Sequence, residues 1–231
     1  MKRIFLAAAT ILLSGSMAFA QEQQPALHPK VLPMFGQVAK TDAQQKADEK
    51  FLTSCDKSFE TRTEASNFFM ERGWEYLNEG QVDTAVYRFN LAWLLNPDNY
   101  NTYWAFGLVE NSKGNPKEAI GMFNRALKYQ PNNSLLLSDM ASAYLKQYAT
   151  DKKKKNLKQA SAFLDRSLKA DQSNAFALSG LSQVYYHNKK YAEALTSFQR
   201  VQQDPKYAAV VPYYIAEIYY FQGKRDQLIQ Y

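Results

Sequence analysis

The chain has one cysteine and two histidines among its 231 residues, with nine glycines and eight prolines. One thiol closes no internal disulfide, and one Cys with two distant His builds no four-ligand zinc site, so disulfide scaffolds and zinc modules are excluded. Gly and Pro are too few for a collagen-like or linker protein, whereas apolar residues make up 46% of the chain, enough for a packed interior. Charge of one sign is scarce as well. Lys and Arg number 28 against 22 Asp and Glu, an excess too small to imply nucleic-acid binding. The motifs of common catalytic sites are missing: there is no phosphate loop of the G-x-x-x-x-G-K type, no dinucleotide fingerprint, no H-E-x-x-H and no G-x-S-x-G. No catalytic residue, cofactor or metal is expected. Of the two histidines, His28 lies in a proline-rich stretch and His187 beside Asn188, where a capping or solvated role is expected. Glu71 and Glu75 share a helix side but have no evident partner, which reads as surface charge.

What is present begins with residues 1–20, MKRIFLAAATILLSGSMAFA, which combine a basic start (Lys2, Arg3), an apolar run from Ile4 to Leu13 and small residues at Ala18 and Ala20. This is the pattern of a secretory signal peptide with cleavage near Ala20. The apolar run is short for a membrane anchor and is broken by Ser14, Gly15 and Ser16. Without Lys2 and Arg3 the mature chain carries 26 basic and 22 acidic side chains, a formal +4. Residues 21–40 contain Pro25, Pro29 and Pro33 and no steady period, and are expected to be a flexible leading segment. Ala47, Phe51, Cys55 and Phe59 then recur every four residues, predicting a short helix from about Asp42 to Ser58 that caps the first structural unit after it, within a segment spanning 41–60. Cys55 is expected either as a small buried thiol or as an intermolecular disulfide.

From Ser66 the chain repeats itself. Gly73, Tyr76, Ala85, Phe89, Ala92 and Pro97 are followed 34 residues later by Gly107, Ala119, Phe123, Ala126 and Pro131. A third copy has Ala141, Tyr144, Ala160, Leu164 and Ser167, with seven extra residues inside it. A fourth has Ser182, Tyr185, Ala194, Phe198 and Val201, with Pro205 one place early, and a fifth opens with Ala216, Tyr219 and Gly223. Small residues let two helices cross closely, bulky ones fill the space between pairs, Gly80, Gly114 and Gly223 end the first helix of a pair, and Pro97 and Pro131 end the second. Asp98, Asn99, Asn132 and Asn133 are candidate helix caps, and Thr61 with Glu64 has capping-box spacing.

This pattern resembles the tetratricopeptide repeat, a helix-turn-helix unit of 34 residues. The resemblance covers about 66–231, with units at 66–99, 100–133, 134–174, 175–208 and 209–231, the last incomplete, and a solenoid domain spanning 61–231. Three positions depart from it: Glu110 stands where Tyr is usual, Gln172 where Pro is usual and Leu228 where Ala is usual. The resemblance implies an all-α, right-handed solenoid whose concave surface, built by the first helices of each pair, binds peptides or helices of other proteins. In the family's register that groove would be lined by Met70, Trp74, Trp104, Leu108, Ser138, Ser142, Ser179, Gln183, Tyr186, Tyr213 and Glu217. Some family members hold a terminal carboxylate with Lys, Asn and Arg; the matching positions here, Met70 with Trp74, Trp104 with Leu108 and Ser138 with Ser142, imply no such clamp. Trp74, Trp104, Tyr186 and Tyr213 are expected either as anchors for a partner segment or as packing between repeats.

Lys152, Lys153, Lys154, Lys155 and Lys158 gather near the extra residues of the third unit; a solvated loop is expected, with weak contact to an anionic envelope surface as the alternative. The chain stops at Tyr231, a few residues into what would be a second helix, leaving Tyr219, Tyr220, Phe221, Leu228 and Ile229 without the polar closing helix that solenoids usually carry. Either the sequence belongs to a longer protein or this face self-associates. The reading as a whole is a noncatalytic, exported bacterial scaffold, periplasmic and soluble after cleavage, that recruits envelope proteins. A glycan- or cell-wall-binding subunit is the second reading.

Overall fold

The computed structural model describes residues 28–201 and 211–228. The expected signal peptide, the first part of the leading segment, Pro205 and the residues from Ile229 onward lie outside the described residues. Those described form helices joined by short turns, with no strand among them.

After α1 (Asp42–Ser58), consecutive helices pair as hairpins: α2 (Arg62–Asn78) with α3 (Val82–Leu95), α4 (Tyr100–Ser112) with α5 (Pro116–Tyr129), α6 (Ser134–Asp151) with α7 (Lys154–Ala170), and α8 (Ala175–His187) with α9 (Tyr191–Val201). A further helix, α10 (Val211–Phe221), packs on α9 and leads into α11 (Arg225–Leu228). The first helices of neighbouring hairpins, α4 with α6 and α6 with α8, touch directly and make one layer of the stack.

The repeat chemistry explains the stacking. Ala85, Ala119, Ala160 and Ala194 are fully buried, and beside them Phe89, Phe123, Leu164 and Phe198 fill the interior, each contributing roughly 1.5–3 kcal/mol of burial. Gly80 and Gly114 take φ of +78° and +84°, ending α2 and α4 where the repeat register requires a left-handed turn. Caps follow the asparagines. Asn99 accepts from the Asn101 N–H (3.2 Å) and Asn133 from the Leu136 N–H (3.1 Å). Asn174, which the sequence reading did not single out, accepts from the Ala177 N–H and also donates to Ser134 Oγ (2.8 Å) and Ser167 Oγ (3.0 Å), fastening α8 to the preceding hairpin. Thr61 Oγ1 accepts from the Glu64 N–H, but Glu64 reaches back to the Glu60 N–H rather than to Thr61, so only half of the expected capping box forms. The complete one is at Thr41 and Gln44, at the start of α1.

The extra residues of the third unit lengthen both of its helices: α6 has 18 residues and α7 has 17, against 13 and 14 for α4 and α5. Glu110, in place of the usual Tyr, is buried and accepts from Asn115 Nδ2 (2.8 Å), tying the end of α4 to the start of α5. Cys55 is 6% exposed, in a cluster with Ala65 and Leu95, and is unpaired; burial and then the neighbouring Asp56 push its thiol above the usual cysteine range. Burial of this kind matches the small buried thiol of the sequence reading and lowers the fraction of reactive thiolate.

In the leading segment, where the sequence reading expected flexibility, residues 28–40 make defined contacts with α3. Two 3-10 turns, Pro29–Val31 and Pro33–Gln37, lie on α3 as a strap. The cause is Asn90, a buried amide that donates to the carbonyls of Lys30 (2.9 Å) and Leu32 (2.8 Å) and accepts from the Phe35 N–H (3.2 Å). Met34 joins the core, its sulfur facing Arg125 Nη1 at 3.1 Å on α5. The strap therefore packs on second helices of the hairpins, on α3 and, through Met34 and Arg125, on α5.

Candidate functional site

On the first-helix side, α6, α8 and α10 enclose a cleft of about 310 Å³. Four of the expected groove residues, Ser138, Ser142, Ser179 and Gln183, line it. Leu145, Leu164 and Phe176 give it an apolar floor, Lys146 its cation, and His187 and Tyr214 its edge. A surface that combines apolar floor with a few placed polar groups is the usual makeup of a binding site.

The helical period builds this wall. Ser138, Ser142 and Lys146 succeed each other at four-residue steps along α6, and Ser179, Gln183 and His187 do the same along α8. The sequence reading counted Lys146 with the basic residues near the third unit and gave His187 a capping or solvated role; continuing the same step one turn further brings both to the cleft. Lys146 Nζ donates to the Asn111 carbonyl (2.7 Å), and Asn111 Nδ2 donates to Ser142 Oγ (3.4 Å), so α4 contributes to the wall. Asn111 Oδ1 is buried and takes no hydrogen bond from the described residues, an acceptor left open beside the cleft.

His187 keeps an exposed edge while its ring packs on Tyr148 (5.1 Å) and Tyr186 (5.3 Å). Burial, and after it the charge of Lys152, hold its pKa below the usual histidine range, partly countered by Glu217. The imidazole is thus neutral near pH 7, and Lys146 supplies the positive charge of the lining.

The other expected groove residues are distributed differently. Met70 is 4% exposed inside the main core cluster, and its burial removes it from any groove. Ser138, at 1%, contributes only a sliver of surface because its hydroxyl is turned back to the Leu135 carbonyl (2.8 Å). Trp74 is half-buried, edge-on to Phe89 at 5.2 Å, and Leu108 packs on the same cluster. Trp104 is half-buried with its indole N–H donating to Asp139 (2.8 Å), which fixes the ring across the α4/α6 seam. Of the four expected aromatic anchors, Trp74 and Trp104 thus serve packing between helices at least in part.

Tyr186 lies against Tyr191 and Tyr214, and burial followed by a hydrogen bond to Glu217 pushes its phenol well upward. Tyr213 is 68% exposed, next to Tyr214. Lys152, Lys153, Lys154, Lys155 and Lys158 are all exposed at the turn into α7. Their turn is closed by Asp151, which accepts from the Lys153 N–H (2.9 Å) and from Asn156 Nδ2, and those bonds hold its carboxyl below the usual range.

Residues 79–206 match the family model of the cytochrome c-type biogenesis protein H TPR domain, more than half of the chain. No curated protein matches. Similar solved structures include PilF of Pseudomonas aeruginosa, at 20% identity and a TM-score of 0.62 over 73% of this chain and 74% of that one. TTC0263, a TPR protein of Thermus thermophilus, is similar at 17% identity and a TM-score of 0.60, over 71% and 87% of the two chains. YrrB, a TPR protein described as having an unusual peptide-binding site, is similar at 18% identity and a TM-score of 0.56, over 79% and 89%. At these identities the likeness is one of fold.

Proposed function

This chain belongs to the tetratricopeptide-repeat family, with a domain of the cytochrome c-type biogenesis protein H kind, and on that premise we propose that it is a noncatalytic scaffold holding an extended segment of another polypeptide in the cleft between α6, α8 and α10. The fold is that of a protein-interaction scaffold. The observation that carries the finer reading is the cleft itself, in which Ser142, Ser179, Gln183 and Lys146 ring an apolar floor. Hydroxyls and a side-chain amide both donate and accept, which suits the alternating N–H and C=O groups of an extended backbone. The floor of Leu145 and Phe176 takes an apolar side chain, and Lys146 favours an acidic neighbour.

The working place of the scaffold is the bacterial envelope, reached through the signal peptide read in residues 1–20. Among the described residues no helix is long and apolar enough to cross a membrane. The name of the matched family, biogenesis of c-type cytochromes, points to assembly of other proteins as the class of task.

A photoreactive side chain at Gln183 tests this reading, with Tyr129, exposed on α5, as the control position. In intact cells the Gln183 probe captures a discrete polypeptide and the Tyr129 probe does not. Equal capture at both positions, or binding of isolated glycan strands in place of a polypeptide, overturns it.

A further inference from the structure

A second cavity, of about 140 Å³, lies between the strap, α1 and α3, away from the cleft of α6, α8 and α10. We propose that it binds a free monocyclic aromatic carboxylate. This inference does not rest on the groove reading.

The size sets the ligand. A protein cavity of roughly 150 Å³ lined by apolar side chains holds one benzene ring. Here Phe35 comes from the strap, Phe51 from α1, and Tyr87 with Leu91 from α3, so three independent elements each present apolar surface, three of the four residues being aromatic. Aromatic walls favour an aromatic guest through edge-to-face contacts beyond area burial.

The mouth sets the charge. Lys30 and Lys40 line the same cavity, standing over the Tyr87 ring (5.4 Å) and the Phe35 ring (4.0 Å) respectively. Asp48 pairs with Lys40 and is the one carboxylate in the lining, so two ammonium groups face a single acid and the mouth favours an anion.

The walls are also fixed before any ligand arrives. Asn90 grips the strap by three hydrogen bonds. Met34, Phe35 and Gln37 are held at φ of 51°, 56° and 53°, with Gly36 at 70°, a left-handed run that side chains other than glycine adopt only at a cost. That turn is what sends Met34 into the core while Phe35 walls the cavity. Strain retained to hold a wall in place is the mark of a preorganised site.

Titration of 4-fluorobenzoate against the full chain, followed by 19F NMR, tests the proposal. Saturable binding is expected. Ala47→Phe, on the exposed face of α1 at the cavity, should abolish it with the helical circular dichroism unchanged. Lys30→Gln, and separately Lys40→Gln, should each weaken it by about tenfold, the loss expected of one hydrogen bond to a charged group. Neutral 4-fluorobenzyl alcohol should bind more weakly and be indifferent to both lysine changes, and Leu135→Ala, exposed on α6 and outside the cavity lining, should alter nothing. A ring bearing a carboxylate is also what a polypeptide ending in Phe presents, so tighter binding of N-acetylglycylphenylalanine than of 4-fluorobenzoate would overturn the free acid as ligand. No saturable binding by the folded wild-type chain, or binding that Ala47→Phe leaves intact, would overturn the site.

Discussion

The ring of Phe89 occupies the space that a side chain on Gly73 would need: a β-carbon on Gly73 would come within 2.2 Å of Phe89 Cε1. One repeat later Gly107 and Phe123 stand in the same relation, at 2.4 Å. Rings fully buried against glycine set how closely the two helices of a hairpin cross.

Gly107→Ala should therefore destabilise the protein by about 1–3 kcal/mol, the usual cost of overpacking, although alanine is the better helix former. The midpoint of chemical denaturation checks this. A midpoint that rises would mean the hairpin can open without loss.

Lys189 tests the opposite case. It holds φ of +59° at the end of α8, where earlier repeats place Gly80 and Gly114. A left-handed residue with a β-carbon costs about 1–2 kcal/mol, while glycine gives part of that back to the unfolded chain, so Lys189→Gly should stabilise by up to about 1 kcal/mol. Thermal denaturation of the pair of proteins reads the sign directly.

Asn90→Ala should free the strap. The change leaves the part-buried carbonyls of Lys30 and Leu32 without their donor, a loss of about 1 kcal/mol for each hydrogen bond. Hydrogen exchange at the Phe35 amide should speed up sharply while amides of α8 stay protected, because the strap contacts α3 and not α8.

His187 should titrate below the ordinary histidine value of about 6.5. Because its folded-state pKa is depressed, its contribution to stability is complete above the unfolded value and is lost as pH falls from there toward the folded one. Lys152→Gln removes a nearby positive charge and should move the midpoint upward. NMR titration of the ring protons measures it, and a midpoint that does not move would assign the shift to burial alone.

Trp104→Ala should lower affinity for a groove-bound segment and also loosen the α4/α6 seam, since the indole donates to Asp139 across it. Gln183→Ala, on the half-buried cleft wall, should lower affinity alone. Comparing the two by calorimetry of binding and of unfolding separates anchoring from packing.

The recurring small, bulky and turn residues were legible in the sequence because each acts within one hairpin or between neighbours. Gly73 needs only Phe89, and Gly80 needs only its own turn. The family's register put Ser142, Ser179 and Gln183 on the expected groove, and the four-residue step continued from Ser142 and Gln183 reaches Lys146 and His187. Depth was not legible: periodicity gives a direction around a helix axis, and whether Met70 or Ser138 is covered depends on how the next hairpin tilts onto it. The strap was invisible for a stronger reason. Its hold comes from Asn90 and Arg125, 55 to 91 residues away from Phe35 and Met34, through an amide clamp and a left-handed turn that no local pattern announces. The amino-acid order alone determined a stack of hairpins. Only the folded chain decided which helices of that stack residues 28–40 cover, because that choice is made by contacts between segments distant in sequence.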